Sequence, residues 1–149
     1  MSSNPVYAFF ATPRSWGPFV LRMTLAAVFF YHGGQKAFGW FGGKGWTATL
    51  SQWTASDGLG LPTAVAALAI AGEVAVAAAL FLGVMTRLAA FGVMVIMAGA
   101  VGVVHAGEGV SAWEYPAVLG LVALALVSLG GGRFSVDRGL SQQLLPSFG

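Results

Sequence analysis

The sequence predicts an all-α integral membrane protein: a four-helix bundle with antiparallel neighbours and a short interfacial helix between the first and second spans. Three observations point there. Charged residues make up 8% of the 149-residue chain, where a soluble domain carries roughly 25%, and 57% of residues are apolar at a mean hydropathy of +0.80. Apolar runs close to the ~20 residues that a bilayer core requires follow one another along the chain. The 22 glycines, with abundant alanine, suit helices whose backbones approach closely in lipid. The whole chain, residues 1–149, reads as one membrane domain.

The first run spans about 16–38 and carries Arg22, then His32 and Lys36 one helical turn apart. Ionisable groups at membrane depth are costly and need partners. The preceding Met1–Ser15 is proline-containing and lacks a lysine-rich start, and no small-residue cleavage site follows the first apolar run. That run is therefore expected to be a retained span rather than a removed leader. Residues 40–61 are too rich in glycine and polar groups to cross a bilayer. Within them Trp46, Leu50 and Trp53 recur at helical offsets, so the segment at about 44–56 is expected to lie in the interface with its tryptophans down. An ordinary surface loop with aromatics packed on helix ends is the alternative.

Pro62 opens the second span, about 62–82, at a position that a helix's first turn tolerates, and Glu73 sits at its centre. A tight turn through Gly83 and Arg87 leads to the third span, about 88–105. A second turn through Glu108 leads to the fourth, about 113–129, which Gly130-Gly131-Gly132 ends. Short turns make these neighbours antiparallel and put both chain ends on one side. That side holds Arg14, Arg22, Arg87, Arg133 and Arg138, against Lys36 and Lys44 on the other. The positive-inside rule then places both termini in the cytoplasm. Gly92, Gly99 and Gly102 in the third span leave room for another helix, from this chain or from a second copy.

Depths follow from the ~1.5 Å rise per helical residue. They put Arg22 within reach of Glu73 and predict an Arg22–Glu73 ion pair, held by two hydrogen bonds between guanidinium and carboxylate. A protonated Glu73 acting as a proton relay is the alternative. His32 and His105 come out at similar depth near the outer interface, with Lys36, Glu114 and Tyr115 in the same layer. His32, His105 and Glu73 are the candidate catalytic groups, and His32, Lys36, His105 and Tyr115 the candidate cofactor-binding groups. Three chemistries fit that layer. A quinone head needs donors at its carbonyls and a proton-passing group. Two histidines could ligate a haem, although no attachment motif is present. Each histidine could instead simply hydrogen-bond a helix end.

The absence of cysteine excludes disulfides, thiolate catalysis and cysteine-ligated metals, so any redox role needs a borrowed electron carrier, and no metal site is expected. A net charge of +2 rests on scattered basic residues, which does not describe a nucleic-acid surface. The expected partners are the bilayer and either another protein or further copies of this chain.

Arg22 with the following run into Tyr31-His32-Gly33-Gly34-Gln35-Lys36, then Glu73, the Leu82–Ala90 turn, His105 and the Gly130–Asp137 segment together resemble the DoxX family. The resemblance implies a small four-helix protein of the bacterial inner membrane. Some relatives are associated with thiosulfate oxidation coupled to quinone or with membrane oxidoreductase assemblies. Without cysteine this chain offers no sulfur-handling residue. The functional expectation is a membrane subunit of an oxidoreductase system, offering a quinone or electron/proton-transfer site in its outer half and working with a partner. The alternative is a non-catalytic membrane scaffold or anchor subunit.

Overall fold

A computed structural model describes residues 5–12, 14–104, 107 and 109–143. The described residues form helices and connections without strands. The long helices are α2 (Gly17–Phe38), α4 (Thr63–Leu82), α5 (Thr86–Gly99) and α6 (Val110–Leu129); the short ones are α1 (Pro5–Phe10), α3 (Gly45–Thr54) and α7 (Val136–Gln143). A π turn over Ala100–Val104 continues α5. The segments 63–82, 86–104 and 110–129 are long and apolar enough to cross a membrane, which makes this an integral membrane protein. Helix α2 is as long, at 22 residues, but carries more polar groups.

Local chemistry sets the boundaries. Pro18 sits in the first turn of α2, where its missing N–H costs nothing, and Gly39 closes the helix in the left-handed region. Gly83 ends α4 the same way. Pro116 falls inside α6, because that helix begins at Val110, ahead of the expected start. Its ring has no N–H to offer the Ala112 carbonyl, which loosens the helix there.

Helix α2 packs on α4, α4 on α5, α5 on α6, and α6 returns to α2, while α3 lies across α2 and α4. Each long helix sends apolar side chains to one interior, including Leu25 and Phe29, Val76 and Leu80, Ala90 and Val93, and Leu119 and Leu126. The outside is equally apolar: Leu68 is 73% exposed and Leu121 65%. That is the surface expected of helices bathed in hydrocarbon rather than water.

Two features lie outside the sequence expectation. The short helices α1 and α7 pack against each other at the arginine-rich end, where the sequence showed only chain ends. Of the glycines of the third span, Gly92 faces Val76 of α4, whereas Cβ atoms at Gly99 and Gly102 would meet nothing within 4 Å. Gly92 thus serves packing within this chain.

Helices α2 and α4 approach closely at Gly33. A Cβ there would stand 3.2 Å from the Val74 nitrogen and 3.3 Å from the Glu73 carbonyl carbon, so the contact is backbone against side-chain-free backbone. Replacing Gly33 by Leu is expected to force the two helices apart and to lower stability by about 1–3 kcal/mol, as overpacking does elsewhere. Thermal unfolding in detergent measures it, and an unchanged midpoint would contradict the contact.

Candidate functional site

Ionic side chains cap the helix ends at the arginine-rich end of the molecule. The last carbonyls of a helix and its first N–H groups have no partners within it. Arg22 supplies the donors for α4, reaching the Leu80 and Phe81 carbonyls at 2.9 and 3.0 Å, and also bonds the Phe134 carbonyl at 3.0 Å. Asp137 of α7 accepts from the Met85 and Thr86 N–H groups at 2.7 Å each, which caps the start of α5. Arg87 donates to the Val127 and Ser128 carbonyls at the end of α6, and to the carbonyls of Phe9 in the last turn of α1 and of Ala11 just after it. Gly83 is required at the centre of this arrangement, at φ +69, because a Cβ would also stand 2.8 Å from the Ser135 Cα.

Arg22 therefore does not pair with Glu73, as the depth estimate had predicted. The Glu73 carboxylate instead forms an ion pair through Oε1 with Lys36 Nζ. The reason is the register of the two helices. Gly33 of α2 lies against Glu73 and Val74 of the antiparallel α4, so Arg22, eleven residues earlier, stands about 16 Å from that level at the ~1.5 Å rise per residue, beside the end of α4. Lys36, three residues past Gly33, lies within a turn of Glu73, and its side chain leans back toward it. Depths counted separately from the end of each span miss this offset.

Lys36 Nζ also stands 5.3 Å from the centroid of the Trp53 ring, a cation–π contact that ties α3 to the pair. Of the two tryptophans of α3, only Trp53 turns inward; Trp46 is exposed. Glu73 is buried at 3% exposure, and its second oxygen, Oε2, has no hydrogen-bond partner among the described residues. An ionised carboxylate can only accept, so Oε2 is an acceptor awaiting a donor.

Two cavities meet at this pair. The smaller, about 150 Å³, is bounded by His32, Lys36, Glu73, Tyr115 and Pro116 with Phe29, Met97 and Leu119. The larger, about 570 Å³, runs under Trp53 between α4 and the end of α5, and is apolar apart from Lys36 and Glu73. Met97 and Ala100 line both cavities, and Ala100 opens the π turn. Such turns recur at functional sites because they widen a helix locally.

Of the sequence candidates, the structure brings His32, Lys36, Glu73 and Tyr115 to one cavity. Glu114 is exposed and lines neither cavity. His105 lies outside the described residues. Among the described residues no cluster of three histidine or carboxylate groups gathers as a metal site would require. Sequence reasoning missed Trp53 as a partner of Lys36, and it missed Arg87 and Asp137 as caps; the polar run after Gly132 was the available signal for the last.

A family model described as DoxX matches residues 17–106. The matched stretch holds Arg22, His32, Lys36, Glu73, Arg87 and His105 and stops before the Gly130–Asp137 segment. No curated protein and no solved structure matches the chain.

A double-mutant cycle separates the two pairings. Lys36→Met and Glu73→Gln are expected to be coupled by about 0.5–3 kcal/mol, as contacting residues are, whereas Arg22→Met and Glu73→Gln should add to within about 0.5 kcal/mol. Equal coupling in both cycles would contradict the arrangement.

Proposed function

We propose, from the premise that this chain belongs to the DoxX family, that it is the membrane subunit of an oxidoreductase system, offering a quinone site and working with a partner that carries the electron-transfer centre. The observation that carries this reading is the convergence of a small, partly polar cavity and a larger apolar one on a buried Lys36–Glu73 pair. The arrangement suits an amphiphile with a compact head and a hydrocarbon tail. An apolar cavity of about 150 Å³ admits a benzene-sized ring, which matches a one-ring head group. The tail would lie in the larger cavity.

In this reading α2 crosses the bilayer with the other long helices as a four-helix bundle. Helix α3 lies in the outer interface, and both termini face the cytoplasm of a bacterial inner membrane. The gathering of Arg22, Arg87 and Arg133 about one end of the long helices supports that orientation.

When bound, a quinone supplies the two-electron, two-proton chemistry that none of this chain's side chains offers. The residues would do the rest. Lys36 can donate from Nζ to a head-group oxygen while remaining paired with Glu73, and the Tyr115 hydroxyl can donate from the other side of the small cavity. His32 can pass a proton at a head-group oxygen. The apolar walls exclude water and strengthen these interactions.

The scaffold alternative draws on the other end of the molecule, where Arg22, Arg87 and Asp137 serve only to bind helix ends together. Gentle detergent extraction separates the two readings. Quinone is expected to leave the membrane with the native protein, and its content should fall at least several-fold in His32→Ala and in Lys36→Met/Glu73→Leu, which strands no charge, at unchanged yield. Protein free of quinone, with full activity of its complex in both variants, would favour the scaffold.

A further inference from the structure

We propose that Glu73 Oε2 is the acceptor for a ligand hydroxyl, so that the site takes its amphiphile in the hydroxyl-bearing, hydroquinone form, with the hydrocarbon chain in the cleft between α4 and α5. This inference rests on the reading above and adds the redox form and the orientation of the ligand.

The Glu73 carboxylate is 3% exposed, and one of its oxygens is already engaged by Lys36. The other has no partner among the described residues. As the partner of an ammonium group, the carboxylate offers lone pairs and no proton. A buried acceptor at a charged group is costly to leave unmet. A quinone brings only carbonyl acceptors to such an atom, which sets oxygen against oxygen. A phenolic hydroxyl brings the donor that is missing. The head can at the same time accept from Lys36 through its hydroxyl oxygen, since a hydroxyl both donates and accepts. The ion pair thus presents one acceptor and one donor to the same ring.

The cleft gives the orientation. Its rim includes Leu68 and Val95, 73% and 57% exposed, side chains that face hydrocarbon in a membrane-embedded chain. The cavity therefore opens sideways to lipid, and its inner end is Lys36 and Glu73. Gly99 lines it, and a Cβ on Gly99 meets nothing within 4 Å. A larger side chain at that position would project into the cleft without striking the protein.

Isothermal titration of the detergent-purified protein with decyl-ubiquinol, its quinone and its dimethyl ether tests the assignment. The quinol is expected to bind at least about ten-fold more tightly than the dimethyl ether or the quinone, the value of one hydrogen bond to a charged acceptor. That preference should vanish in the double variant Lys36→Met/Glu73→Leu, which removes both charges together and strands neither. Gly99→Leu should weaken all decyl probes several-fold and leave a tail-less dimethoxy-methyl hydroquinone unchanged. Equal affinities of quinol and quinone in the native protein would overturn the hydroxyl assignment while leaving the quinone site standing. Binding of none of the probes would overturn both. A quinol preference that persists in the double variant, or decyl binding indifferent to Gly99→Leu with only phospholipid in the cleft, would overturn the proposed placement.

Discussion

Hydrocarbon cannot solvate a charge, so every ionic group carried into this molecule has to be met by another part of it. Glu73 is the most demanding case. It sits mid-helix among alanine and valine, and Lys36 from the neighbouring α2 reaches it only because the two helices run antiparallel and touch at Gly33. A residue larger than glycine at that point would separate the backbones and lengthen the pair. The charge, the helix direction and the missing side chain are one constraint seen three times.

The same constraint is answered differently at the arginine-rich end. There the charges do not pair with each other but with the ends of helices: Arg22 with the last carbonyls of α4, Asp137 with the first N–H groups of α5, Arg87 with the last carbonyls of α6. Each cap comes from a different element than the end it serves, so the caps join helices as well as finish them. In lipid an open helix end has no water to turn to, which makes such tertiary capping worth more than it would be on a soluble surface. Charge at this end holds the molecule together, and charge at the Lys36–Glu73 level lies beside empty volume.

That contrast supports placing function in the half of the bundle that holds Lys36 and Glu73. A cavity system that ends on an ion pair, with an oxygen left over and a π turn along its wall, combines room, polarity and access from the lipid. Trp53 over Lys36 links the helix α3 to the pair, so that occupancy of the cavity and the position of α3 bear on the same ammonium group.

Much of this was legible in the amino-acid order. Low charge and long apolar runs specify helices in a membrane, since no other arrangement satisfies the backbone there, and the glycine and proline positions fix where the helices stop. The residues carried to depth, Arg22, His32, Lys36 and Glu73, could be named without coordinates, because polar groups in such runs are few. Their partners could not. Rise per residue gives the height of a Cα along its own helix but not the register of one helix against the next, and the contact at Gly33 is what sets Lys36 rather than Arg22 beside Glu73. Only the packed helices decide which charge each one meets, and only the gaps between them make the cavities beside Glu73, since a void belongs to no single stretch of chain.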